Sequence, residues 1–109
     1  MRRSILNGTL GLAAASVLAA TAIGAQTVEI FQKGKAFSER SVTIAAGDPI
    51  SFVNDDDNVH NVYSATPGHE FDLGAQKPGD SGAHVFASPG EVAVRCAIHP
   101  RMRLTVNVE

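Results

Sequence analysis

The chain has 109 residues, 44% of them hydrophobic, a length and composition that suit one small domain. Its formal net charge is −2, which argues against the basic footprint of a nucleic-acid-binding protein. Its single cysteine excludes an internal disulfide.

Arg2 and Arg3 open the chain with positive charge, residues 5–23 are dominated by Leu, Ala, Val and Gly, and Gly24 and Ala25 close the stretch with small side chains. That layout predicts a secretory signal peptide over residues 1–25, cleaved after Ala25, with Ala22 and Gly24 as other serviceable positions. The competing reading is an uncleaved membrane anchor. Asn7, Gly8, Thr9 and Gly11 count against it, because they shorten the apolar core below the ~20 residues a span needs. Cleavage removes two of the 9 Lys+Arg and none of the 11 Asp+Glu, leaving 7 against 11, a net charge of −4. Residues 26–109 then form the domain, small for one without a disulfide. A lone thiol in an exported chain must be buried, paired between molecules, or bound to something.

After that segment the chain reads as strands and turns. Thr27 to Phe31 is a β-branched and aromatic run ending near Lys33-Gly34-Lys35, and Ser41 to Ile44 alternates. Ala46-Gly47-Asp48-Pro49 is a turn, after which Ile50 and Phe52 alternate again. Asn54-Asp55-Asp56-Asp57-Asn58 carries too much like charge to continue a strand and is expected to be an exposed, solvated loop. Its three consecutive carboxylates lack the alternating spacing of a calcium loop. Val59 to Ser64 resumes a strand with His60 and Val62 on one face. Residues 65–83 are broken by Thr66-Pro67-Gly68, Gly74, Pro78-Gly79-Asp80 and Gly82, with Phe71 and Leu73 as apolar anchors. Ala83 to Ala87 is strand-like. Val92, Val94 and Cys96 share one parity, so the thiol joins two valines on the core face at a strand end. Leu104, Val106 and Val108 form a closing strand. Six or seven short strands with no helical periodicity predict an all-β antiparallel sandwich or barrel.

The residues that carry chemistry lie in Cys96-Ala97-Ile98-His99-Pro100-Arg101-Met102. A thiolate, an imidazole and a thioether in one short loop are soft and intermediate donors, and the first-row ion that accepts all three is copper. A blue-copper site needs a second histidine. His69 sits in the Gly/Pro-rich connection and His84 in a strand beside Val85 and Phe86, where an ordinary hydrogen-bonded or solvated histidine is expected. His60 differs, because a strand-loop-strand unit carries it to a strand end that a sandwich can bring beside Cys96.

The His60-Asn61 pair and the Cys96, His99, Met102 loop resemble the copper-binding segments of the cupredoxins, the blue copper proteins, in their plastocyanin/amicyanin-like branch. The likeness extends to Val42 through Phe52, Phe71-Asp72-Leu73-Gly74, and Phe86 through Val94. It implies a Greek-key β-sandwich or barrel with one type 1 copper ion cycling between Cu(I) and Cu(II). His60, Cys96, His99 and Met102 would be the ligands, and the Asn61 side chain would tie the two ligand segments together. Ala97 departs from the family's usual Thr or Ser after the cysteine, so any such tie must reach backbone groups. The resemblance further implies a periplasmic monomer, not an enzyme, that passes single electrons between protein redox partners. It implies neither nucleic-acid binding nor stable membrane insertion after cleavage. The loop histidine would be the electron's exit, framed by Ala97, Ile98 and Pro100. Arg101 and Arg103 add positive charge there and are expected to steer an acidic partner, so that charge reversal at both slows association. A copper carrier or chaperone is the alternative, although such proteins often use several methionines and residues 26–109 have one. Structural zinc would prefer more Cys or His and leaves Met102 unexplained. A cysteine hydrolase also leaves the methionine spacing unexplained.

Overall fold

The computed structural model describes residues 27–109; the predicted signal peptide and its cleavage site lie outside them. Eight strands follow in chain order: β1 (Val28–Gln32), β2 (Ser41–Ile44), β3 (Asp48–Asn54), β4 (His60–Ser64), β5 (Phe71–Gln76), β6 (Ser81–Phe86), β7 (Gly90–Cys96) and β8 (Arg103–Val108). They form a three-stranded sheet ordered β1-β3-β6 and a five-stranded sheet ordered β2-β8-β7-β4-β5. The chain crosses between the sheets repeatedly, giving the expected Greek-key sandwich, but with eight strands rather than six or seven and with β1–β3 and β2–β8 parallel where antiparallel pairing was expected throughout.

Alternation decides what each sheet buries. Ile30, Ile50, Phe52 and Phe86 point inward from the small sheet, while Ile44, Val62, Val92, Val94, Leu104, Val106 and Val108 point inward from the large one. Phe52 is fully buried and meets Phe37 edge-on and Phe71 at a tilt, with centroids 6.4 Å apart in each pair. Burying a side chain of that kind contributes about 1.5–3 kcal/mol. Cys96 and Met102 belong to the same core at 1% exposure each.

Two further expectations need correction. The stretch 65–83 was expected to be irregular, yet it contains the whole of β5 and the start of β6. β5 escapes periodicity because it is a sheet-edge strand with a register shift against β4 between Asn61 and Tyr63. Gly74 supplies the positive φ of +76° at that irregularity. The second correction concerns Asn54 to Asn58. Asn54 ends β3 with no exposure, and its amide donates to the carbonyls of Asn58 and Gln76. Its Oδ1 accepts from the Asp56 amide, so a buried side chain sets the shape of the loop.

Candidate metal centre

β4 and β7 are adjacent antiparallel strands, with Val62 opposite Cys96. His60 therefore lies one inward-facing position beyond the end of β7, a diagonal neighbour of Cys96 on the core face. The His60 Nδ1 atom is 3.8 Å from Cys96 Sγ, and the Asn61 amide donates to the same sulfur at 3.3 Å. The loop after β7 turns back over this end. It brings the His99 ring to 4.8 Å from that of His60, at 67°, and the Met102 amide donates to the His99 carbonyl at 3.0 Å. Four donor-bearing residues, His60, Cys96, His99 and Met102, thus gather at one end of the sandwich. Ile98 at 51% exposure and the exposed Ala97 and Pro100 surround His99 on the outside.

Two contacts depart from expectation. The Asn61 side chain donates to Asp72 Oδ1 at 2.8 Å, joining β4 to β5 rather than to the cysteine loop. Its link to Cys96 is made by its main chain instead, a bond that any residue at position 61 other than proline would supply. Asp56 is the residue that sequence reasoning missed. Its neighbours Asp55 and Asp57 are exposed as expected, but its side chain is 9% exposed and its Oδ2 lies 2.9 Å from His60 Nε2. The Lys35 amide donates to the same oxygen at 2.8 Å, and the Asp57 amide to Oδ1 at 2.9 Å. The Lys35 amide above all, and then the His60 ring, hold the Asp56 carboxyl well below the usual carboxylate range. An ionised Asp56 takes the Nε2 proton of His60 as a hydrogen bond, which leaves the Nδ1 lone pair aimed toward Cys96. Lys35 reaches this position through a tight turn at Gly34 and Lys35, both with positive φ (+63° and +56°). A lysine tolerates that region only under strain.

His69 and His84 are not brought to this end. His84 stacks on Phe71 with centroids 3.9 Å apart at 12° and meets Phe86 edge-on. Burial against these rings lowers its pKa from the ordinary value. The unfolded chain then binds more protons between that lowered value and about 6.5, so stability falls as pH drops through this window. Urea midpoints at pH 7.5 and pH 5 are expected to differ less in His84→Gln than in the wild type; an equal difference would place the pH dependence elsewhere.

No protein-family model matches the chain. Over 63 residues it is 41% identical to methylamine utilization protein MauL of Methylorubrum extorquens, covering 57% of this chain and 55% of that protein. The match thus spans little more than half of MauL's length. Amicyanin from Paracoccus versutus superposes with a TM-score of 0.70 at 27% identity, over 81% of this chain and 86% of that one. A purple cupredoxin from Nitrosopumilus maritimus does so with a TM-score of 0.67 at 24% identity, over 75% and 99%. The chain has the cupredoxin fold, and these likenesses support a place in the cupredoxin family. The metal a cupredoxin implies is copper, and the donors in this chain fit it. The Nε2 atom of His99 is buried with no hydrogen-bond partner, His60 offers Nδ1 3.8 Å from the Cys96 sulfur, and the Met102 side chain is buried in the same core.

Proposed function

We propose that this cupredoxin is an exported electron carrier that holds one type 1 copper ion through His60, Cys96, His99 and Met102. The observation that carries the reading is the buried meeting of His60 Nδ1 and Cys96 Sγ, with the His99 ring 4.8 Å from that of His60, its Nε2 unpartnered, and Met102 buried in the same core. When bound to two imidazoles, a thiolate and a thioether, copper supplies one-electron chemistry with donors that suit both of its oxidation states. The chain's own part is to keep those donors fixed. Asp56 orients His60, the Asn61 amide restrains the Cys96 sulfur, and Pro100 confines itself and His99 to extended backbone. Four protein ligands leave no open position for a substrate, so the reading assigns no enzymatic activity of its own.

Amicyanin and the MauL match support a role with protein redox partners. Export through residues 1–25 would put the domain in the periplasm as a monomer. The test is to titrate the purified protein with copper(II) and record visible absorption and electron paramagnetic resonance. The expected result is an intense blue thiolate-to-copper band at one equivalent, with narrowed copper hyperfine splitting. A colourless or weakly coloured complex would remove the blue-copper reading and move the copper-carrier role ahead of it.

A further inference from the structure

The strand that carries His60, β4, is held differently on its two sides. Toward β7, Val62 lies opposite Cys96, and the Asn61 amide donates to Cys96 Sγ at 3.3 Å. Toward β5, the ladder slips at the same place. Asn61 pairs with Ala75 and Tyr63 with Asp72, so Leu73 and Gly74 both fall opposite Val62. A bulge of this kind disrupts the main-chain ladder locally. The sheet is thus interrupted on one side of β4 beside the residues that meet Cys96 on the other.

The Asp72 carboxylate spans that interruption. Its Oδ1 accepts from the Gly74 amide at 2.7 Å and from Asn61 Nδ2 at 2.8 Å, so one oxygen closes the bulge and ties it to β4. Gly74 adopts its φ of +76° without a steric penalty, which lets its amide turn back toward Asp72. Asp72 is exposed and Asn61 half-buried. Bonds to an ionised acceptor are stronger than those between neutral groups, which helps an exposed tie to hold against water. Ala97 has no hydroxyl that could draw the Asn61 side chain toward the cysteine loop instead.

We propose that Asp72 is a positioning residue for the sulfur side of the metal centre: by clamping the Asn61 side chain to β5, it fixes the Asn61 main-chain amide on Cys96 Sγ. The clamp itself needs no metal, while its effect on redox chemistry rests on the copper reading. An N–H group aimed at a thiolate draws charge from the sulfur and weakens it as a donor. That favours Cu(I) over the more highly charged Cu(II), one of the ways a protein tunes such a site. Releasing the clamp therefore lowers the reduction potential. Removing the negative charge of Asp72 acts in the opposite direction, because a nearby anion favours Cu(II). The two contributions differ in sign, and two substitutions separate them.

Asp72→Asn removes the charge but keeps an Oδ1 that accepts both bonds, whereas Asp72→Ala removes the charge and the acceptor. The first measurement is amide hydrogen exchange by nuclear magnetic resonance on metal-free protein. The Asn61 amide is expected to exchange about 2–10-fold faster in Asp72→Ala than in Asp72→Asn, the scale of one hydrogen bond. The amide of Val94, buried in β7, reports global opening and should exchange alike in both. Asn61→Ala removes the donor from the other side and should give the same loss at residue 61, with no further loss when Asp72→Ala is added. That arm decides if Asp72→Ala alone fails to fold by circular dichroism. With one equivalent of copper, voltammetry should place Asp72→Ala below Asp72→Asn by about 20–60 mV, the same 2–10-fold expressed as a ratio of Cu(I) to Cu(II) affinity. Equal exchange at Asn61 in the two variants, or acceleration at Val94 as large as at Asn61, would overturn the proposal. So would a potential in Asp72→Ala at or above that of Asp72→Asn. A missing blue band alongside the expected exchange pattern would defeat the copper reading alone.

Discussion

Cys96→Ser is expected to abolish the blue band and most of the stabilisation that copper gives. A serine hydroxyl does not ionise near neutral pH, so the variant cannot supply the thiolate that makes the metal–sulfur bond. The fold should tolerate the change. Serine is close to cysteine in size, and its oxygen can accept from the Asn61 amide that now donates to Sγ at 3.3 Å. Without metal, the variant's urea midpoint should therefore lie within about 1 kcal/mol of the wild type, the scale of one exchanged hydrogen bond. With metal the two should separate. A ligand present at 1,000 times its dissociation constant stabilises the native state by about 4 kcal/mol. In a domain of this size each kcal/mol moves the thermal midpoint by about 4–8 °C, so a rise of about 15–30 °C is expected for the wild type and little for the variant. Calorimetry with and without one equivalent of copper measures both. An equal rise in the two proteins would remove Cys96 from the ligand set.

How much of this was legible in the sequence depends on the range of the contact. Parity along β7 put Cys96 on the core face with Val92 and Val94, and parity along β4 put His60 with Val62; both hold. Such signals are local, since two residues one pleat apart must share a face. β5 was not legible because it has few apolar residues and its alternation breaks at Gly74, where the extra twist is carried by backbone conformation rather than by side-chain type. Asp56 was not legible for a different reason. Amid Asp55 and Asp57 it is chemically indistinguishable from its neighbours. What sets it apart is an amide from Lys35, 21 residues earlier, and the fixed loop shape imposed by buried Asn54. The proposed donors can be picked out of the sequence because metal chemistry needs particular side chains; their supports cannot, because almost any polar atom can support.

Those supports carry the second large effect. Asp56→Ala is expected to weaken copper binding 10–100-fold, the usual consequence of removing the group that orients a ligating histidine. Without the carboxylate the His60 ring loses its partner at Nε2, and the Lys35 and Asp57 amides lose their acceptors. The strained Lys35 turn should then relax, so Ala mixes two effects. Asp56→Asn separates them, because an amide oxygen can still accept one of these bonds while the negative charge is gone. A carboxylate beside an imidazole strengthens it as a donor and favours the more highly charged Cu(II). Asp56→Asn should therefore raise the reduction potential, by about 59 mV for each tenfold loss of Cu(II) affinity that Cu(I) does not share. Chelator competition gives the affinities and voltammetry the potential. A potential that falls, or one unmoved while affinity drops, would mean that Asp56 only shapes the loop and does not act on the metal through His60.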